Sequence, residues 1–236
     1  MLPAALTALS DILSPPLRAI LWRAIALALV LVAVLAIALQ RLLAWFAGSG
    51  EVWLEAALGP SFHTPLTILS WIVSIAAGLG VVLGAVFLMP AITSLVASVF
   101  VDDVAEIVER GHYPHQPPGT ALPVGIALRE GVKTALLTIL VYLIALPFVL
   151  FAGAGVVIFF VATAWLLGRE YFELAAMRFR SPREAKAMRK RHALTVFVAG
   201  LIIAAFVSIP IVNLATPLFG MAFMVHLHKR LSGARA

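Results

Sequence analysis

The sequence predicts an all-α integral membrane protein with two long transmembrane helices and two re-entrant (hemi-penetrating) helical hairpins. Hydrophobic residues make up 63% of the 236 residues and charged residues only 12%, whereas a soluble domain carries roughly 25% charge. The charges are clustered, so that residues 24–39 and 66–100 contain none. With their flanks, both stretches reach the about 20 apolar residues that a spanning helix needs. Two later pairs of apolar segments are shorter, which predicts the hairpins.

The N-terminal half is predicted to contain the two long helices in a single membrane domain. Residues 1–14 are expected to form a short interfacial segment. The first long helix covers residues 17–47, because Ser14 is a suitable cap and proline is tolerated in the first turn. Gly48, Ser49 and Gly50 are expected to end it. The second long helix covers residues 65–110, and its acidic end leaves the membrane as a continuous solvated helix.

The C-terminal half is predicted to contain the two hairpins, at residues 134–168 and 193–228, with a basic cytoplasmic segment at residues 178–192 between them. Each arm of the first hairpin has about 15 residues and reaches roughly 22 Å, short of a hydrocarbon core of about 30 Å. If the four arms of the two hairpins were instead full spans, the chain would still end on the same side of the membrane. Charge alone therefore leaves hairpins and full spans open as alternatives.

The charge balance predicts the orientation and the partners. The chain has 17 Lys and Arg against 11 Asp and Glu, and its last basic cluster lies near the C-terminus. Because positively charged loops face the cytoplasm, both termini are expected there. The basic segment at residues 178–192 is expected to contact anionic lipid headgroups. No basic face with stacking aromatic side chains is present outside the membrane flanks, so nucleic acid is not an expected partner.

Enzyme and cofactor chemistry have no support in the sequence. The chain has no cysteine, no Gly-rich phosphate loop and no nucleophile–base motif, so we expect neither catalysis nor a bound cofactor. His112 and His115 have no third ligand nearby, which predicts no metal site. His226 and His228 are interpreted as interfacial residues. The long apolar stretches lack the ionisable groups of coupled transporters, which favours a passive conduit or a structural protein.

The start of the first helix is the candidate anion-binding site. Free main-chain N–H groups and the positive end of the helix dipole attract anions at a helix start. Arg18 adds a forked donor that suits an oxyanion. The site is predicted to comprise Pro16, Leu17, Arg18 and Arg23. Alternatively, the two arginines are ordinary positive-inside anchors of the helix.

A second candidate is the end of the first hairpin, where charged and aromatic residues lie beside the membrane. Arg169, Glu170 and Tyr171 are predicted to line the inner mouth of a path. The alternative is that Arg169 pairs with Glu173, four residues later, and stabilises the helix.

Four segments, in the same order and spacing, resemble the bacterial CysZ sulfate permeases, which are grouped with the etoposide-induced membrane proteins. The segment Leu167-Gly168-Arg169-Glu170-Tyr171-Phe172-Glu173-Leu174 is the most specific match. The others are Ser14-Pro15-Pro16-Leu17-Arg18, residues 102–114, and Ile209-Pro210-Ile211-Val212-Asn213-Leu214, which is similar to the Pro-x-x-Asn hairpin tip of the family.

The resemblance implies channel-like, passive sulfate uptake across the bacterial inner membrane for cysteine synthesis. It also implies homo-oligomers, dimeric or larger such as hexamers, and a path lined in part by Asn213. The family holds sulfate at positions that correspond to Pro16, Leu17 and Arg18. Pro16 stands where the family has glycine and lacks an N–H, and Ala19 stands where it has a second arginine. The alternatives are a channel for another small anion and a non-transporting structural or lipid-organising membrane protein.

Overall fold

The computed structural model describes residues 2–58, 67–69, 71–76, 78–81, 96, 99–150, 153–209 and 212–233. It is 88% helical, with no strand among these residues, which confirms the all-α class. Two short 3₁₀ turns, Leu146–Leu150 and Val212–Ala215, lie between helices. The helices are α1 (Leu2–Ile12), α2 (Pro15–Leu58), α3 (Thr67–Val81), α4 (Val101–His112), α5 (Val124–Ala145), α6 (Ala154–Met177), α7 (Pro182–Arg191), α8 (Ala193–Val207) and α9 (Thr216–Leu231).

The chain forms two compact units. Residues 1–23 and 97–236 make up the first, and residues 24–96 make up the second. The second unit consists of most of α2 together with α3, where Gln40, Phe46 and Val73 contribute to a pocket of about 360 Å³. The first unit contains the candidate site residues from both ends of the sequence.

Helix α2 is longer than predicted. It continues through Gly48, Ser49 and Gly50 to Leu58, so the prediction of a helix end at residue 47 was wrong. A glycine inside a helix costs only about 1 kcal/mol relative to alanine, and no proline interrupts the chain before Pro60. The two acidic residues that follow, Glu51 and Glu55, therefore lie on the helix and not in a loop.

The second long helix was predicted to run unbroken to residue 110, and the structure corrects its end. Phe100 forms a turn, and α4 begins after it as a separate helix whose first bond runs from the Val104 N–H to the Phe100 carbonyl (3.0 Å). Acidic residues in the first turn of α4, Asp102 and Asp103, favour a new helix start there because they complement the helix dipole. The middle of the predicted helix lies outside the described residues.

Among the described residues, three helical segments are long and apolar enough to cross a membrane: Pro15–Gly50, Val124–Phe148 and Ala154–Met177; the bent pair Pro182–Arg191 and Ala193–Val207 makes a fourth if it is counted as one span. The protein is therefore an all-helical membrane protein. The two arms of the first hairpin have 22 and 24 helical residues, more than the 15 expected from the apolar segments alone. The arms are longer because the helices include the charged flanks. The length argument for a half-penetrating first hairpin was therefore wrong, and whether it re-enters stays a prediction.

The second hairpin does have short arms. Helix α8 has 15 residues and α9 has 16, which at 1.5 Å per residue gives roughly 23 Å. Helix α7 is bent by 92° from α8. Its start is fixed by a capping box, in which the Glu184 N–H donates to the Ser181 hydroxyl and the Ser181 N–H donates to the Glu184 carboxylate.

Helix α9 forms the core of the first unit. It is buried from Thr216 to Lys229 and contacts α1, α4, α6 and α8. Helix α6 packs most extensively along α8. This arrangement places the ends of α1, α4, α6 and α9 close together, and polar side chains from all four meet there.

Candidate functional site

The predicted anion site lies at an exposed helix start. Pro15 and Pro16 have no N–H, so the first main-chain donor of α2 is the Leu17 N–H, while the Arg18 N–H already donates to the Ser14 carbonyl (2.9 Å). The Leu17 side chain is buried. The side chains of Pro16, Arg18 and Arg23 are exposed.

Arg18 and Arg23 keep their charges available. Among the described residues, no acidic side chain pairs with either of them. The buried Arg178 is instead bonded to Glu109, and the half-buried Arg169 and Arg189 share Glu173. An anion that approaches the start of α2 therefore meets positive charge that no internal ion pair neutralises.

Arg169, the first candidate for the inner mouth, is part of an internal ion pair. Its Nε donates to Glu173 Oε1 (3.2 Å), and Arg189 of α7 donates to the same oxygen (2.7 Å). The guanidinium also lies 5.9 Å from the centre of the Trp165 ring. This is the helix-stabilising arrangement that the sequence left open, extended by a second arginine that ties α7 to α6.

Glu170 and Tyr171 line a pocket of about 190 Å³ between α4, α5, α6 and α9. Three further carboxylates line it: Asp102, Glu130 and Glu173. Tyr171 is buried, and its ring lies so close to Gly220 that a Cβ there would approach within 2.8 Å. The acidic lining makes this pocket a poor binding site for an anion.

Asn213 lies in the 3₁₀ turn between α8 and α9, at the tip of the second hairpin. Its side-chain carbonyl accepts a hydrogen bond from the Thr216 hydroxyl (3.2 Å), and its N–H donates to the Ile209 carbonyl (2.8 Å). Both bonds shape the turn between α8 and α9. Arg169 of α6 follows Gly168, which contacts Gly200 near the middle of α8. Among the described residues, no hydrogen bond or ion pair joins these two predicted path residues.

The structure also assembles a cluster that the sequence reasoning missed. Asp11, at the end of α1, accepts hydrogen bonds from His112 Nε2 of α4 (2.8 Å) and from His226 Nε2 of α9 (2.9 Å). The Tyr113 hydroxyl lies 3.0 Å from the other ring nitrogen of His226. His226 and His228 are both buried, which corrects their interpretation as interfacial residues.

Charge and burial shift the pKa values of Asp11 and Tyr113 in this cluster. Burial raises the pKa of Asp11, but the hydrogen bonds from His226 and His112 lower it by more, so that the pKa is below its usual value. Burial raises the pKa of Tyr113, which therefore keeps its proton at neutral pH. The cluster thus combines an ionised carboxylate, two imidazoles and a phenol.

A second buried network joins α4 to the end of α6. Arg178 Nε and Nη2 donate to the two oxygens of Glu109 (2.8 and 3.2 Å), and Nη1 contacts Asp102. The Gly119 N–H donates to Glu109 as well (2.8 Å), and its carbonyl accepts from Arg178 (3.2 Å). Burial alone would lower the pKa of Arg178, but the Glu109 carboxylate raises it overall. These bonds give part of the segment at residues 102–114 a structural role.

Comparison with protein families agrees with this all-helical membrane fold. The family described as sulfate transporter CysZ/etoposide-induced protein 2.4 matches residues 4–217, most of the chain. The chain belongs to this family. No curated protein and no solved structure matches it. The match extends from α1 to the first turn of α9, so it includes Arg18, Arg169 and Asn213, and also Asp11 and His112.

Proposed function

We propose that this CysZ-family protein conducts sulfate passively into a bacterial cell across the inner membrane and supplies it for cysteine synthesis. The observation that carries the proposal is the unpaired Arg18 at an exposed helix start in a chain of a sulfate-transporter family. Arginine offers a planar fork of donors that matches a tetrahedral oxyanion. The Leu17 N–H and the dipole of α2 add positive potential at the same place.

The division of charges supports this location over the end of the first hairpin. Arg169 and Arg189 share Glu173, and Arg178 is held by Glu109. Their positive charge is therefore already balanced inside the protein. Arg18 and Arg23 lie one to two turns apart on α2, so both add positive charge near its start.

Passive permeation is supported by the composition of the apolar helices. Coupled transporters place ionisable side chains within the membrane. Residues 24–39 of α2, 134–145 of α5 and 154–167 of α6 contain no Asp, Glu, Lys, Arg or His. We therefore propose no proton or sodium coupling, and the sulfate gradient drives uptake.

We further propose that several copies of the chain enclose the path. The arms of the second hairpin are too short to span the membrane by themselves, and α5 exposes many large apolar side chains, among them Leu136, Ile139 and Leu143. A homo-oligomer, a dimer or a hexamer, would cover such surfaces. The termini face the cytoplasm in this proposal, as Arg18 and Arg23 at the start of α2 and the basic cluster near the C-terminus favour.

Sulfate flux into liposomes tests the proposal. Purified protein is reconstituted, and uptake of radiolabelled sulfate is measured against protein-free vesicles, with chloride and phosphate as competitors. Saturable sulfate uptake that excess chloride does not abolish is the expected result. Uptake equal to that of empty vesicles, with the protein shown to be folded and assembled, would refute it. Preferential uptake of another anion would identify a channel of different selectivity.

A lipid-organising role is the second candidate, and the geometry of α7 favours it. This helix lies at 92° to α8, as an interfacial helix does beside a helix that enters the membrane. Within α7, Ala185 is buried, whereas the side chains of Arg183, Lys190 and Arg191 are exposed. Such side chains bind anionic headgroups. If lipid composition changes the assembly of the protein while sulfate flux is absent, this role replaces transport.

A further inference from the structure

Asp11, His112 and His226, which we call the His–Asp–His cluster, have the donor set of a transition-metal site. Their potential ligand atoms all lie within 4.8 Å of one another, although the residues come from α1, α4 and α9. Two imidazole nitrogens and a carboxylate are ligands that Zn²⁺ prefers, and a three-ligand site leaves a fourth position for water. Ca²⁺ and Mg²⁺ prefer oxygen ligands throughout.

The distances leave room for an ion after a small adjustment. Tetrahedral Zn²⁺ with bonds of about 2.0–2.1 Å separates its ligand atoms by about 3.3 Å. The carboxylate oxygens of Asp11 lie 2.8 and 2.9 Å from the two Nε2 atoms. The histidine rings cross edge to face with their centres 4.9 Å apart. The two hydrogen-bonded pairs would have to separate by roughly half an ångström, and the most distant pair of ligand atoms, within 4.8 Å, would have to close towards about 3.3 Å.

Tyr113 already forms a hydrogen bond with one of the proposed metal ligands, His226. Metal-bound histidines usually donate the other ring N–H to an oxygen, which fixes the ring and its tautomer. The Tyr113 hydroxyl lies 3.0 Å from His226 Nδ1. Because a phenol both donates and accepts, it can serve His226 in the hydrogen-bonded cluster and, with the tautomer reversed, in a metal-bound one.

An ion can reach the cluster from solvent. The side chain of His112 is 36% exposed, whereas that of His226 is only 5% exposed. The cluster therefore has one open side, as a site that exchanges metal needs, and a buried side that holds it in place.

We propose that the His–Asp–His cluster binds one Zn²⁺ ion, or a chemically similar divalent transition metal, through His112 Nε2, His226 Nε2 and the Asp11 carboxylate. The ion fastens α1 to α4 and α9. It also fixes the turn into α2, because the Ser14 N–H donates to the Asp11 carbonyl (2.8 Å). Binding to the folded chain raises its thermal stability.

The test measures zinc bound to the full-length protein in detergent, after its purification tag has been removed and it has been treated with a chelator. After equilibrium dialysis against Zn²⁺, one ion per chain is expected by elemental analysis, together with a higher unfolding midpoint. Replacement of zinc by Co²⁺ is expected to give the visible absorption bands of four-coordinate cobalt. His112→Ala and Asp11→Asn should lose the bound ion.

Two variants separate a metal site from a structural hydrogen-bond cluster. His115→Ala removes an exposed histidine from the loop that follows α4, and this variant should retain the ion. Tyr113→Phe should keep the stoichiometry but weaken zinc binding about tenfold, as loss of an outer partner does. Equal zinc binding by His112→Ala and the unaltered chain would overturn the proposal, as would less than one ion per chain in a folded protein. Neither result depends on sulfate flux.

Discussion

Gly168 of α6 and Gly200 of α8 face each other at the closest approach of the two helices. A Cβ at Gly168 would lie 2.7 Å from the Val196 carbonyl oxygen and 3.0 Å from the Gly200 Cα. A Cβ at Gly200 would lie 2.0 Å from the Ala164 carbonyl oxygen. Small residues allow helices in membranes to approach this closely, so these two glycines set the distance between the first and second hairpins.

We expect Gly200→Ala to push α8 away from α6 and to destabilise the protein. Overpacking a close contact costs typically about 1–3 kcal/mol, and here the added methyl group meets main-chain atoms that cannot rotate away. The midpoint of thermal unfolding in detergent should fall. Gly48→Ala in α2 is the matched control, because in the described part of the chain its added Cβ meets no other segment within 4 Å. An unchanged midpoint for Gly200→Ala would contradict the packing described.

Replacement of Arg178 by methionine should destabilise the protein strongly. Glu109, which is buried with it, would lose its two bonds from the guanidinium, and removal of one partner of a buried pair costs about 3–5 kcal/mol. Arg178→Lys should recover only part of the loss, because an ammonium group cannot bridge both oxygens. Chemical or thermal unfolding measures the effect. The neighbouring exposed Arg180→Met should have little effect, and equal effects of the two would argue against the network.

Glu173→Gln should release α7 from α6. The substitution removes the charge that Arg169 and Arg189 share, so two half-buried cations are left without their carboxylate. We expect faster trypsin cleavage at Lys186 and Arg189, measured by limited proteolysis and mass spectrometry. Glu106→Gln, which affects only an exposed pair with Arg110, serves as the control. Identical cleavage patterns for the two variants would show that Glu173 does not hold the helix.

Arg18→Ala should reduce sulfate binding and flux more than Arg23→Ala. Arg18 lies in the first turn of α2, where the helix dipole and the Leu17 N–H act on the same anion, and such effects fall off within a turn. The ratio of uptake between the two variants in liposomes measures this. Arg41→Ala, which alters a distant arginine on the same helix, controls for total charge. Unchanged flux in Arg18→Ala would remove that residue from the proposed site.

The helix start proposed to bind the anion was predictable because its parts are neighbours in sequence. Ser14, Pro15 and Pro16 before an apolar run indicate a helix start, and α2 begins there. The predicted end of the same helix was wrong because glycine only weakens a helix, and packing decides whether the weakened turn persists. Local pattern is therefore a better guide to where this helix begins than to where it ends.

Only some of the ion pairs could be predicted from the sequence. Arg169 and Glu173 are four residues apart on one helix, so their contact follows from helical geometry. Arg189, which shares the same carboxylate, lies on another helix and could not have been assigned. The same holds for Arg178 and Glu109, which are 69 residues apart in sequence.

The sequence by itself determined that this protein is helical and lies in a membrane, because hydropathy and charge clustering act over short stretches of chain. Only the tertiary structure decided which charges are free and which are neutralised, since ion pairs form between helices that are distant in sequence. It also brought Asp11 to His226 across 215 residues. Residues that far apart meet only when α1 and α9 pack together, and no local pattern encodes that contact.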